Sequence, residues 1–135
     1  MTNILGSIQI PQRIKIEDNT QREPIISVDV QKMKRVFTNI ITNAIDTMPK
    51  EGKLTIKSRE WNDNVEFTFT DTGSGIPKEI IEKIWTPLFT TKAKGMGLGL
   101  AICKRMVEAH GGSVFAKSKV GKGTTFTIKI PIKRE

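Results

Sequence analysis

The chain reads as an α+β sandwich, with helices packed on one side of a single sheet, and three observations predict it. Short segments alternate apolar and polar residues and come in pairs joined by turn residues, as strand hairpins do. One long segment carries its apolar residues at helical spacing along a single face. Strand pairs and helices follow one another in the order ββαββααββ, which is not the regular alternation that a purely parallel sheet requires. At 135 residues the chain fits one domain over 1–135 with a core of useful size. It shows no repeat, linker or low-complexity tract, and residues 1–10 read as an irregular entry segment.

Arg13-Ile14-Lys15-Ile16 alternates, and Pro24-Ile25-Ile26-Ser27-Val28 is brief and β-branched, so each is an expected strand. Asp29 is placed to cap a long helix that ends at Pro49. Within it Met33, Val36, Phe37, Ile40, Ile41, Ala44, Ile45 and Met48 form one stripe. Leu54 and Ile56, then Val65, Phe67 and Phe69, mark a hairpin turning at Asn62-Asp63-Asn64. Pro77 opens an expected short helix over Lys78–Trp85, and a further helix follows the glycines near 97 and stops at His110-Gly111-Gly112. Val114–Lys117 and Thr125–Ile130 close the chain as a second hairpin.

Composition bounds the function more than it identifies it. The chain is 37% hydrophobic and 27% charged, with 6% aromatic residues, and its apolar runs are too short to cross a membrane. Its first residues do not read as a secretory leader. A single cysteine, Cys103, excludes an internal disulfide or a cysteine zinc site and points to a reducing, cytoplasmic setting. The net charge of +8 favours anionic partners. Yet the Lys and Arg residues are scattered, and no aromatic-basic stripe offers a platform for bases. Neither nucleic acid nor direct membrane contact is expected.

Three stretches carry candidate chemistry. Gly95-Met96-Gly97-Leu98-Gly99-Leu100 runs straight into a helix, where bare backbone and free N–H groups suit a phosphate, although an ordinary turn fits the same residues. Asn39, Asn43 and Asp46 stand about one turn apart on a flank of the long helix, where they are either hard oxygen ligands for a cation such as Mg²⁺ or solvated surface. Asp71-Thr72-Gly73-Ser74-Gly75-Ile76-Pro77 puts a carboxylate at a strand end before two glycines, a ligand mouth or a plain turn. His110, the only histidine, sits where a helix end takes a polar cap.

Taken together, these stretches resemble the ATP-binding catalytic domain of sensor histidine kinases. Asn39-Ile-Ile-Thr-Asn43-Ala-Ile-Asp46 is similar to that family's asparagine box, and Asp71-Thr-Gly73-Ser-Gly75 to its first glycine box. Trp85-Thr-Pro87-Leu-Phe89-Thr-Thr-Lys92 resembles its phenylalanine box, Gly95–Leu100 its second glycine box, and Gly123-Thr124-Thr125-Phe126 its last strand. The likeness covers roughly residues 25–131. It implies a Bergerat-type fold: a mixed, mostly antiparallel sheet of about five strands, with three helices on one face. It also implies ATP and Mg²⁺ as ligands, with Asn43 holding the metal, Asn39 near the reacting end and Asp46 nearby. Asp71 would read the adenine amino group with help from Thr124, Gly73, Gly75 and Ile76 would admit the base, and Gly97, Leu98, Gly99 and Leu100 would cradle phosphates. Thr91, Lys92, Lys94 and Gly95 would belong to a lid whose lysines reach the γ-phosphate, with Asn39, Asn43 and Lys92 counted as the catalytic groups.

Asn39 separates sub-families on chemical grounds. The related ATPases carry a glutamate there that activates water, and an asparagine has no such basicity. The resemblance therefore implies phosphoryl transfer to a histidine on a separate helical dimerisation domain, with a response regulator served indirectly. The alternatives are an ATPase or serine kinase on the same fold, or a basic nucleic-acid-binding module. Asp46 stands where many relatives have a basic residue, Trp85 and Leu88 replace phenylalanines, and nothing in the chain resembles the phospho-accepting histidine.

Overall fold

A computed structural model describes residues 5–6, 8, 10–20, 30–48, 50–86 and 97–132. Its elements are β1 (Ile14–Asn19), α1 (Val30–Asp46), β2 (Gly52–Trp61), β3 (Asn64–Asp71), α2 (Gly97–Ala109), β4 (Ser113–Lys119) and β5 (Gly123–Pro131). The five strands make one sheet in the order β1-β2-β3-β5-β4. β1 lies parallel to β2 and every other pairing is antiparallel, so the sheet is mixed as expected. The expected strand over 24–28 and the cap at Asp29 lie outside the described residues, as does Pro49.

Alternation fixes which face each strand buries, because a period of two sends successive side chains to opposite sides. Leu54 and Ile56 of β2, Phe69 of β3, Val114 of β4 and Phe126, Ile128 and Ile130 of β5 share one core. The stripe of α1 lies over it, and Val36, Ile40 and Ile41 are fully excluded from water. Burying a side chain of this size stabilises the fold by about 1.5–3 kcal/mol. Phe37 joins helix to sheet, its ring 5.0 Å from Phe67 and 5.6 Å from Phe69. α2 packs beside α1, where the Cys103 thiol contacts the Val36 carbonyl at 3.6 Å.

The ends of the elements follow local rules. Asn62 and Asp63 both take positive φ, 49° and 60°, the left-handed turn that matches the twist of the β2–β3 hairpin. α2 stops in a glycine cap: Gly111, at φ 77°, donates to the Glu108 carbonyl and Gly112 donates to that of Val107. His110 sits in this cap with its Nδ1 2.7 Å from the Met106 carbonyl oxygen.

The segment after Pro77 departs from expectation. In place of a third α-helix it forms turns from Lys78 and a 3-10 turn over Lys83–Trp85. Lys83 N–H donates to Ile80 and Thr86 N–H to Lys83, both three residues back. Between Pro77 and Pro87 the segment is too short to repay helix nucleation. Thr86, which precedes Pro87, is also held extended at φ −77°, ψ 131°. Ile84 still reaches the core, and the Trp85 ring meets Phe126 edge-on at 5.9 Å.

On the opposite face of the sheet Glu66 is flanked by its cross-strand neighbours, Arg59 on β2 and Lys129 on β5. Arg59 Nε lies 2.8 Å and Lys129 Nζ 3.5 Å from its carboxylate. Burial pushes the Glu66 carboxyl upward, but the hydrogen bond and charge of Arg59, with Lys129 added, overcome it and hold the carboxyl below its ordinary 4.5. A depressed carboxyl contributes stability that is present above its unfolded value and lost as pH falls through the folded one. Both cations are partly exposed, so Glu66→Gln is expected to cost only about 0.5–1 kcal/mol at neutral pH. In urea melts the gap to the wild type should narrow progressively as pH falls below 4.5 and the carboxyl takes up its proton; a gap independent of pH contradicts the assignment.

Candidate functional site

β3 is the central strand of the five, and its last residue is Asp71. The Asp71 side chain is 2% exposed, a burial that an ionised carboxylate tolerates only when hydrogen-bonded. Its Oδ1 accepts from Gly73 N–H at 2.9 Å and from Thr124 N–H at 3.2 Å. One oxygen thus pins both the turn that leaves β3 and the start of β5. Thr124 is buried as well, at 3% exposure.

The glycines of the turn are dictated by close neighbours. A Cβ on Gly73 would collide with the side chain and carbonyl of Thr47, just past the end of α1. Ser74 N–H donates to that same Thr47 carbonyl at 3.3 Å. Gly75 has φ 78°, a conformation unfavourable for other residues, and its Cβ would strike the Lys119 carbonyl. The turn is therefore wedged between the C-terminal end of α1 and the β4–β5 hairpin. Ile76 N–H completes the clamp by donating to Ser118 Oγ at 2.7 Å.

Asn43 stands one turn before Thr47, so the two share a face of α1. It is buried, at 7% exposure, a polar side chain at the rim of an apolar stripe. Asn39, one turn further back, is half-buried, and Asp46 is exposed. Asn39 lies beside the Cys103 thiol of α2. Burial pushes that thiol up to about 11, only partly offset by Asn39 and the Arg35 charge, so Cys103 stays protonated and unreactive at neutral pH. α2 begins at Gly97, and Gly97, Leu98 and Gly99 form its first backbone turn, about 9 Å before Cys103 along the axis. Leu100 turns into the core.

The structure thus joins Asp71, Gly73, Gly75, Ile76 and Thr124 into one connected cluster, and ties it to the helix carrying Asn43 through Thr47. Thr91, Lys92, Lys94 and Gly95 lie outside the described residues. Two participants escape a reading of the sequence alone. Thr47 looks like an ordinary helix-end residue. Ser118 continues the inward phase of Val114 and Ala116, and a polar residue on an apolar strand face is the signal that marks it.

Among the described residues no cluster of three or more His, Cys, Asp or Glu could hold a metal by itself. The donor set near Asn43 is of another kind: amide and carboxylate oxygens on one helix flank. That set suits Mg²⁺, which keeps waters and takes few protein ligands when phosphates supply the rest.

Comparison with known proteins places this arrangement. The family model described as "Histidine kinase-, DNA gyrase B-, and HSP90-like ATPase" matches residues 28–134. The chain is 36% identical over 137 residues to sporulation kinase C of Bacillus subtilis (strain 168), covering 100% of this chain and 32% of that protein. It is 43% identical over 108 residues to sensor histidine kinase ZraS of Salmonella typhi, covering 79% of this chain and 23% of that protein. The chain therefore corresponds to a minor part of these longer relatives. The nucleotide-free catalytic domain of histidine kinase ThkA superposes with a TM-score of 0.79 at 35% identity, over 88% of this chain and 79% of that one. ThkA has also been solved in complex with the response regulator protein TrrA. With its mixed five-stranded sheet, its buried strand-end aspartate and its glycine turn, the chain belongs to the family of histidine kinase-, DNA gyrase B- and HSP90-like ATPases, and within it is similar to the catalytic domains of sensor histidine kinases.

Proposed function

We propose that this chain binds Mg-ATP and donates the γ-phosphoryl group to a histidine on a separate helical dimerisation domain of the same parent kinase. A response regulator would then receive the phosphoryl group in turn. The observation that carries the reading is Asp71. A carboxylate can only accept hydrogen bonds, and at the end of the central strand it suits the amino group of adenine. Asn43 would hold the metal through its amide oxygen, with Asn39 and Asp46 alongside. Gly73, Gly75 and Ile76 would line the entry of the base, and residues 97–100 would meet the phosphates with the N–H groups that open α2. Thr91, Lys92, Lys94 and Gly95 would belong to the lid, and Lys92 would approach the γ-phosphate.

Bound Mg²⁺ supplies charge neutralisation on the phosphate oxygens. Everything else in the step is positioning and electrostatics from the chain. Asn39 supplies no base, which disfavours attack by water. An incoming imidazole needs none, since its ring nitrogen brings its own lone pair: a P–N bond forms as the bond to the ADP oxygen breaks. A cytoplasmic setting accords with a buried, reduced Cys103. Among the described residues no helix is long and apolar enough to cross a membrane.

Calorimetric titration with a non-hydrolysable ATP analogue, with and without Mg²⁺, tests the reading. The wild type should bind with a metal-dependent affinity, whereas Asn43→Ala should lose chiefly the metal dependence. Asp71→Asn should weaken binding on the order of 10- to 100-fold with or without metal, the loss of about 1.5–3 kcal/mol expected when a charged acceptor goes. No saturable heat from the wild type contradicts the proposal. Gly75→Ala should lower both the melting temperature, by several degrees, and nucleotide affinity, because the left-handed backbone alone costs about 1–2 kcal/mol. Wild-type affinity at an unchanged melting temperature would show that this turn does not shape the site.

A further inference from the structure

Ser118 stands at the junction of three segments and makes three hydrogen bonds. Its Oγ lies 2.7 Å from Ile76 N, 2.9 Å from the Gly123 carbonyl oxygen and 2.9 Å from Thr124 Oγ1. A serine hydroxyl has one proton and two lone pairs, so these three contacts fill it completely. Two of the partners have fixed polarity: Ile76 N–H can only donate, and the Gly123 carbonyl can only accept. The Ser118 proton is therefore spent on Gly123, and one lone pair is taken by Ile76. The contact with Thr124 then has a single sense, in which Thr124 donates. Reversing it would forfeit the Ser118 hydrogen bond to the carbonyl of Gly123, a buried residue.

With its proton held by Ser118, Thr124 presents only oxygen lone pairs to a ligand. Asp71, whose Oδ1 takes the Thr124 N–H, is likewise an acceptor. We infer that Ser118 is a positioning residue that sets nucleobase specificity: it locks the Thr124 hydroxyl as an acceptor, so that the site takes purines bearing an exocyclic amino group and rejects those bearing a carbonyl there. Without the lock, Thr124 could turn its proton outward and satisfy a carbonyl. This inference rests on the reading of the site as a nucleotide site. It adds the residue that fixes the polarity of recognition and the base that is excluded. Buried polar groups left facing their own kind are what give such sites their discrimination.

The test is titration of the wild type, Ser118→Ala and Ser118→Thr with ADP and with inosine diphosphate, whose base carries a carbonyl in place of the amino group. The wild type should prefer ADP on the order of 100-fold. Ser118→Ala should narrow that ratio roughly tenfold, chiefly by gaining affinity for inosine diphosphate relative to ADP. Ser118→Thr, which keeps the hydroxyl, should retain the wild-type ratio. Simple loosening of the turn would weaken both ligands together and leave the ratio where it was, so an unchanged ratio in Ser118→Ala overturns the inference. Should the alanine variant fail to fold, Ser118→Cys gives the same reading, since a thiol is a poor donor in a serine-sized side chain. Failure of the wild type to bind either nucleotide removes the nucleotide site itself. An ADP-selective wild type with an equally selective Ser118→Ala removes only the role given to Ser118.

Discussion

A carboxylate excluded from water must be satisfied where it sits, and Asp71 is satisfied by the backbone. Its position at the end of the central strand puts it where both the turn leaving β3 and the start of β5 can reach it. Two N–H groups, from Gly73 and from Thr124, converge on one oxygen. That convergence sets the path of the turn leaving β3 and the entry of β5. The rest of the site is arranged around this pair of bonds.

The glycine turn is where helix and sheet layers meet. Its first glycine lies against Thr47 at the end of α1, and its second lies against the Lys119 carbonyl at the end of β4. Side chains at either place would push the layers apart. Asn43 reaches the same region because it shares a helix face with Thr47. The metal-binding candidate and the base-reading candidate are therefore held in register by packing, without a direct bond between them. Such a frame is firm at the base end, where strands and turns are cross-linked. The lid motif falls outside the described residues.

Much of this was legible in the sequence because the governing patterns are local. The stripe from Met33 to Met48 announces α1, and the alternation around Leu54, Phe69 and Phe126 announces the sheet. Asp71 and its glycines are recognisable from residue type and order. What stayed hidden depends on contacts between distant segments. The parallel pairing of β1 with β2 is not encoded in either strand alone. The helix expected after Pro77 became turns because two nearby prolines bound it, a tertiary and steric limit that amphipathic spacing does not register. Thr47 and Ser118 are ordinary residues made important by the neighbours that folding brings to them.

The central claim is that the end of β3, the start of β5 and the flank of α1 form a single nucleotide site. Backbone amide shifts on titration with Mg-ADP test it most directly. Gly73 and Thr124, the two donors to Asp71, should shift together with the Asn43 side-chain amide along one saturating curve, while Glu66 and Arg59 on the far face stay still. Shifts confined to the far face, or Gly73 and Thr124 left unmoved at saturation, would contradict it.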